Sequence, residues 1–241
     1  MYNLKIFVNG KPIPNYFDRY GKCWVEARKG TKFEIKIMND WWNRVLAIVS
    51  VDGLNIINAK FEPPEISPGY IVNRFSSITI PGWKINENEA RDFIFTDREK
   101  SYATKVGADQ QNVGVIGVAI IDEKVNYRIF SDYIFDKSYN ENPIWYWQNP
   151  IHITSNTRGF SNPSYSCDCN SYNYDGPNLG VGSGEKEQFV TGRQYFERGN
   201  LIKIINVYYD HRNGLINRGI IQEKSLFPKS FPEVNAYCPD L

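Results

Sequence analysis

Arg44-Val45-Leu46-Ala47-Ile48-Val49-Ser50-Val51-Asp52-Gly53-Leu54 is the stretch that decides how this chain folds. Uncharged, mostly aliphatic residues run from Val45 to Val51 and stop at Asp52-Gly53. Asp-Gly tolerates positive φ and is a strong hairpin signal. A strand without polar alternation has both faces covered. The same texture returns at Ile78-Thr79-Ile80-Pro81-Gly82-Trp83 and at Asn112-Val113-Gly114-Val115-Ile116-Gly117-Val118-Ala119-Ile120-Ile121. β-Branched residues fill these runs and turn residues bound them, so Arg44–Ile121 reads as an all-β module. Pro81 lacks a backbone donor and belongs at a strand end or edge.

Working outward toward the N-terminus, Phe33-Glu34-Ile35-Lys36-Ile37 alternates, which turns Phe33, Ile35 and Ile37 inward. Cys23-Trp24-Val25-Glu26-Ala27 is a further strand, and Leu4–Val8 precedes the turn pair Asn9-Gly10. On the other side, Glu87–Phe95 is predicted to open with a helical turn and to end as strand at Phe93-Ile94-Phe95. Beyond Asp122 the texture changes. Tyr127–Phe135 reads as strand or edge, and Asp136–Gly199 is rich in Asn, Ser, Gly, Pro and Tyr. A structureless loop of that length is unusual in a compact domain, so it is predicted to hold short irregular strands or to be a docking arm. Leu201–Tyr209 restores a strand, and Leu215–Ile221 is expected to return beyond Asn213-Gly214 as the second half of a hairpin. Phe227–Leu241 reads as an extension or linker. The expectation is an all-β chain, a β-sandwich of jelly-roll or Greek-key type. Residues 1–121 would form its core and residues 122–199 a loop-rich insertion or arm. Residues 200–241 would supply a hairpin and C-terminal extension completing the same domain.

The 241 residues suit one large β domain or two small ones. Basic residues number 28 and acidic ones 27, interspersed, for a net charge of +1. That balance disfavours nucleic-acid binding through bulk electrostatics and leaves only a local basic patch open to it. Met1–Phe7 runs straight into a strand pattern without the basic and apolar blocks of a signal peptide. No apolar run approaches the roughly 20 residues that span a bilayer. The expectation is a protein made in a cytosol, resident there or in a virion, with no membrane span and no nucleic acid among its partners.

Candidate chemistry is sparse. Cys167-Asp168-Cys169 has the wrong spacing for a zinc ribbon, and His152 and His211 are far apart. Cys23, Cys167, Cys169 and Cys238 read as free thiols in a reducing cytosol, with late disulfide formation the alternative for a protein matured outside it. Gly180-Val181-Gly182-Ser183-Gly184-Glu185-Lys186 lacks the Gly-Lys-Ser/Thr of a phosphate loop and reads as a flexible loop. Gly182-Ser183-Gly184 is not a nucleophile elbow. Asp132, Asp136, Glu141, Asp168 and Asp210 are carboxylates that spacing alone does not pair, and Asp210-His211-Arg212 reads as a polar cluster beside a turn. No enzyme, cofactor or metal is expected. The aromatic groups are more pointed. Trp145-Tyr146-Trp147 would place two indoles on one strand face, and Trp41-Trp42 is a second pair. Trp145, Tyr146, Trp147, Asn149, Trp41 and Trp42 are the candidates for a protein interface or a glycan contact.

At Val49-Ser50-Val51-Asp52-Gly53-Leu54, Pro68-Gly69-Tyr70, Ile80-Pro81-Gly82-Trp83 and Asn112–Gly117 the chain resembles a loosely defined family of small β proteins, largely uncharacterised, from bacteria, phages and large DNA viruses. The resemblance spans residues 20–121, with an echo at Gly180–Gly184, Phe196-Glu197-Arg198 and Leu215–Ile221. It implies a shared fold and supplies no catalytic residues. High Asn, Ile, Lys and Tyr usage fits an AT-rich genome of that kind. The resulting expectation is a virion structural protein (minor capsid, cement or decoration) that contacts other assembly proteins or itself. The alternative is a carbohydrate-binding module with an aromatic platform.

Overall fold

A computed structural model of the chain describes residues 1–124 and 178–222. The alternating run becomes β5 (Lys32–Asn39), with Phe33, Ile35 and Ile37 buried. On one side β5 pairs antiparallel with β1 (Tyr2–Val8), which turns at Asn9-Gly10 into β2 (Lys11–Pro12). On the other side β5 meets two partners in succession, β9 (Ser76–Ile80) along Ile35–Asn39 and β11 (Glu89–Asp97) at Phe33 and Lys32. The chain changes partner at Pro81, where β9 ends and β10 (Gly82–Lys84) begins to pair with β11. The Pro81 carbonyl accepts from the Phe93 amide at 3.1 Å. Gly82 has no room for a Cβ, which would collide with the Arg91 carbonyl oxygen. β13 (Leu179–Gln188) closes this first sheet along the other edge of β11.

In the second sheet β3 (Asn15–Phe17), β4 (Cys23–Glu26), β14 (Arg198–Asp210), β12 (Val115–Glu123), β6 (Val45–Val51) and β7 (Leu54–Asn55) lie in that order, and β8 (Tyr70–Val72) also pairs with β6. Among the described strand pairs only β4–β14 is parallel. Inward residues of both sheets share one core, Phe33, Ile35 and Ile37 from the first and Val45, Val49, Val118 and Ile120 from the second. The fold is therefore all-β and sandwich-like. On the outer face Leu46, Ile48, Ala119 and Ile121 form a second cluster under Ile71 and Phe196. β6 is thus covered on both faces, as its unbroken apolar run requires.

Asp52 ties the layers together. It sits at φ +53 beside Gly53 at φ +81, the two positive-φ positions of the β6–β7 turn. Its carboxylate accepts from the Gly114 amide at 3.0 Å, the Val181 amide at 2.8 Å and the Tyr209 hydroxyl at 2.5 Å. Val181 is on the first sheet and Tyr209 on the second. Burial pushes the Asp52 carboxyl up to about 6, against the three donors and the charge of Arg98, which pull it down.

Three expectations are corrected. Gly180–Lys186 is strand and not a flexible loop, so the loop-rich arm does not extend over Leu179–Gln188. Its glycines clear space: a Cβ on Gly184 would press on Ile94 and Asp92, and one on Gly180 on Ser101. Glu87 lies in a bend and makes no helical turn. Leu215–Ile221 does not return as a strand, because Arg212–Asn217 is a helix, here α2, following the four-residue α1 (Tyr102–Lys105). Leu215 and Ile221 pack with Trp24. The helix ends on Gly219 at φ +68, with Gly219 N–H bonded to the Ile216 carbonyl and Ile220 N–H to the Leu215 carbonyl. That double bond is a Schellman cap, which needs the left-handed residue.

Candidate interaction surfaces

The aromatic pair Trp41-Trp42 sits where β5 passes into β6, beside the β8–β9 turn. One buried side chain builds both loops. The Asn39 amide donates to the carbonyls of Asn43, Val72 and Asn73 at 2.8, 3.2 and 3.0 Å, and its oxygen accepts from the Trp41 amide at 3.0 Å. The Phe75 amide donates to the Trp41 carbonyl at 3.3 Å and closes the second loop onto the first. Phe75 adopts φ +49, which an L-residue with a bulky side chain takes up only under strain. The outcome is a group of rings turned to solvent: Trp41 is 51% exposed, Trp42 70% and Phe75 56%. Trp42 and Phe75 meet edge to face, with centroids 4.8 Å apart and planes at 85°. Trp41 and Trp42 therefore serve no core. Trp145, Tyr146, Trp147 and Asn149 lie outside the described residues. Phe75 was missed in the sequence, where its one signal is a lone aromatic among Asn73, Arg74, Ser76 and Ser77.

The second surface is the N-terminal half of β14. β12 pairs with it from Arg198 to Tyr208, but β4 covers its other edge only from Val207 to Asp210. Along the uncovered part Leu201, Ile202 and Ile204 are 39%, 45% and 55% exposed. Ile204 is the register partner of Ala119 and Leu201 of Ile121, so they continue the outer-face cluster to an edge that no described strand covers. The register slips between Ile120 and Ile121. An unpaired strand edge carrying aliphatic side chains is a template for another strand.

Two clefts among the described residues bring acidic and basic side chains together. One, of about 420 Å³, is lined by Arg28, Lys29, Asp97, His211 and Arg212. Buried Asp210 accepts from His211 Nδ1 at 2.7 Å and from Arg218 Nε at 3.3 Å. This orients the imidazole, yet the cations flanking it are neutralised, Arg28 and Arg212 by Glu26 and Lys29 by Asp97. Among the described residues that line the cleft there is no Ser, Thr or Cys. The other, of about 360 Å³, holds Asp92, Glu185 and Glu187 about Lys32. Lys32 Nζ contacts Asp92 at 2.6 Å and Glu185 at 2.9 Å. Its hydrogen bond to Asp92, then that to Glu185, raises the lysine above its ordinary value. Burial and then the hydrogen bond with Asp92 raise Glu187. Asp92 and Glu187 were not singled out in the sequence, since β11 and β13 bring them together from 95 positions apart in numbering. The ammonium between the carboxylates makes the group an ion cluster.

Among the described residues no group of three or more His, Cys, Asp or Glu side chains could hold a metal. No described helix is long and apolar enough to cross a membrane. Cys23 is half-buried, and burial raises its thiol; Cys167, Cys169 and Cys238 lie outside the described residues, as do His152, Asp132, Asp136, Glu141 and Asp168. Comparison with known proteins found no family model, no curated protein and no solved structure that matches the chain.

Proposed function

We propose that the protein is a non-enzymatic structural component of a larger assembly and acts through protein–protein contacts. The aliphatic edge of β14, without a strand partner among the described residues along Leu201–Asn206, is the observation that carries this reading. Three exposed side chains there cost solvation in the free chain, and the uncovered backbone has no strand partner among the described residues. A neighbouring strand added along Leu201–Asn206 would satisfy the backbone and cover Leu201, Ile202 and Ile204 together. A virion, with this chain as a minor capsid, cement or decoration protein, is the setting that the resemblance to phage and viral β proteins suggests. The contact residues are then Leu201, Ile202 and Ile204, which the sequence reading did not single out.

The test is sedimentation of the full chain, alone and mixed with particles from its source, beside the double variant Ile202→Lys/Ile204→Lys. Lysines on an edge strand block strand addition without touching the core. Self-association or co-sedimentation of the native chain, lost in the variant, is the expected result. A native chain that stays monomeric and joins no particle contradicts the reading.

A further inference from the structure

Beyond assembly through β14, the rings at the β5–β6 and β8–β9 loops form a second, separate surface. Its construction does not serve the core. Phe75 holds a strained backbone at φ +49 and leaves its ring more than half exposed. Strain persists where the surrounding structure enforces it, and it concentrates at sites that bind. The enforcement here is Asn39, whose buried amide fixes the carbonyls of Asn43 and Asn73, and the bond from the Phe75 amide to Trp41. The backbone that carries the rings is therefore held in place before any ligand arrives, which removes part of the ordering cost from binding.

The rim names the kind of ligand. Asp40, Asn43, Asn73, Arg74 and Ser76 are all exposed around the rings. They offer carboxylate and amide acceptors, amide and guanidinium donors and a hydroxyl. One negative and one positive side chain in that set leave no basic excess of the sort that draws a chain to anionic lipid. A pyranose has the complementary chemistry, with an apolar C–H face for an indole and hydroxyls around its edge for amides. We propose that the loop tip of Trp41, Trp42 and Phe75 binds a neutral glycan, with a sugar ring stacked on an exposed aromatic face and its hydroxyls bonded by Asn43, Asn73 and Arg74.

The full chain is titrated with soluble oligosaccharides of the cellulose, chitin, xylan, mannan and starch types and mixed with the corresponding insoluble polymers. Tryptophan fluorescence, calorimetry and pull-down are the readouts. One class of sugar should bind, and affinity should fall at least tenfold in Trp42→Ala and in Phe75→Gly, while Phe17→Ala, at an exposed ring elsewhere, leaves it unchanged. Phe75→Gly should melt no lower than the native chain, because glycine takes positive φ freely. A ring kept for packing would lower the melting temperature on removal. The proposal is overturned by absence of binding across the set, or by binding that survives Trp42→Ala. It is equally overturned if the tip instead floats with phosphatidylcholine or phosphatidylserine vesicles in a Trp42-dependent way. Ile202→Lys/Ile204→Lys should keep its glycan, so failure at the β14 edge and failure at the tip are read separately.

Discussion

Ile48 and Ile204 stand on either side of Ala119, the register partner of each, and share one face of the second sheet. Ile48 is 5% exposed and Ile204 55%. The residue type, the sheet and the facing neighbour are the same. The difference lies in what adjoins the two strands. β6 has β12 on one edge and β7 and β8 on the other, with Ile71 and Phe196 packed over its outer face. β14 has β12 on one edge and nothing among the described residues along Leu201–Asn206 on the other. An aliphatic strand is thus core or contact surface according to its neighbours, and the unburied one is where a partner gains most.

The strongest way to break this comparison is to truncate both isoleucines. Ile48→Ala should cost about 2–5 kcal/mol in urea denaturation, because it opens a cavity in a covered cluster. The contrast also runs within β14, whose second half is buried and tied to β6 through Tyr209 and Asp52. Asp52 rises from 3.8 to about 6 on folding, so between those values the native state holds the extra proton. Stability from this group is fully present below pH 4 and lost as pH rises through 6, by about 3 kcal/mol for a shift of roughly two units. Denaturation across pH 4–7 should show that decline in the native chain and not in Asp52→Asn. A profile common to both would mean that the three donors keep Asp52 ionised throughout. Asn39→Ala should cost about 1–3 kcal/mol, since it leaves the carbonyls of Asn43, Val72 and Asn73 without their donor, and should loosen the aromatic tip seen as faster amide exchange at Trp41. Ile204→Ala is the smallest effect, within about 0.5 kcal/mol in stability, as befits an exposed side chain. A loss like that of Ile48→Ala would erase the distinction between the two strands.

Much of the fold was legible because its signals are local. Phe33, Ile35 and Ile37 announce a half-buried strand by period two, Val45–Val51 a fully covered one, and Asn9-Gly10 and Asp52-Gly53 their turns. What escaped depends on distant neighbours. The glycines of β13 resemble a flexible loop until Ile94, Asp92 and Ser101 are brought against them. Leu215–Ile221 looks like strand because its apolar residues are β-type, and the decisive residue is Gly219, which caps a helix packed on Trp24. The candidate sites were legible only by half. Trp41-Trp42 stands out in any reading of the sequence, whereas Phe75 joins it through the β8–β9 turn. Leu201–Tyr209 reads as a strand, but sequence records its apolarity and not that the described strands leave Leu201–Asn206 uncovered on one edge.

Sedimentation velocity of the full chain, alone and with particles from its source, against Ile202→Lys/Ile204→Lys tests the central claim most directly. The account predicts that the native chain self-associates or travels with the particle, and that the doubly charged edge abolishes this while the melting temperature is unchanged. A native chain that sediments as a monomer and joins nothing, or a variant that associates as well as the native chain, would contradict it.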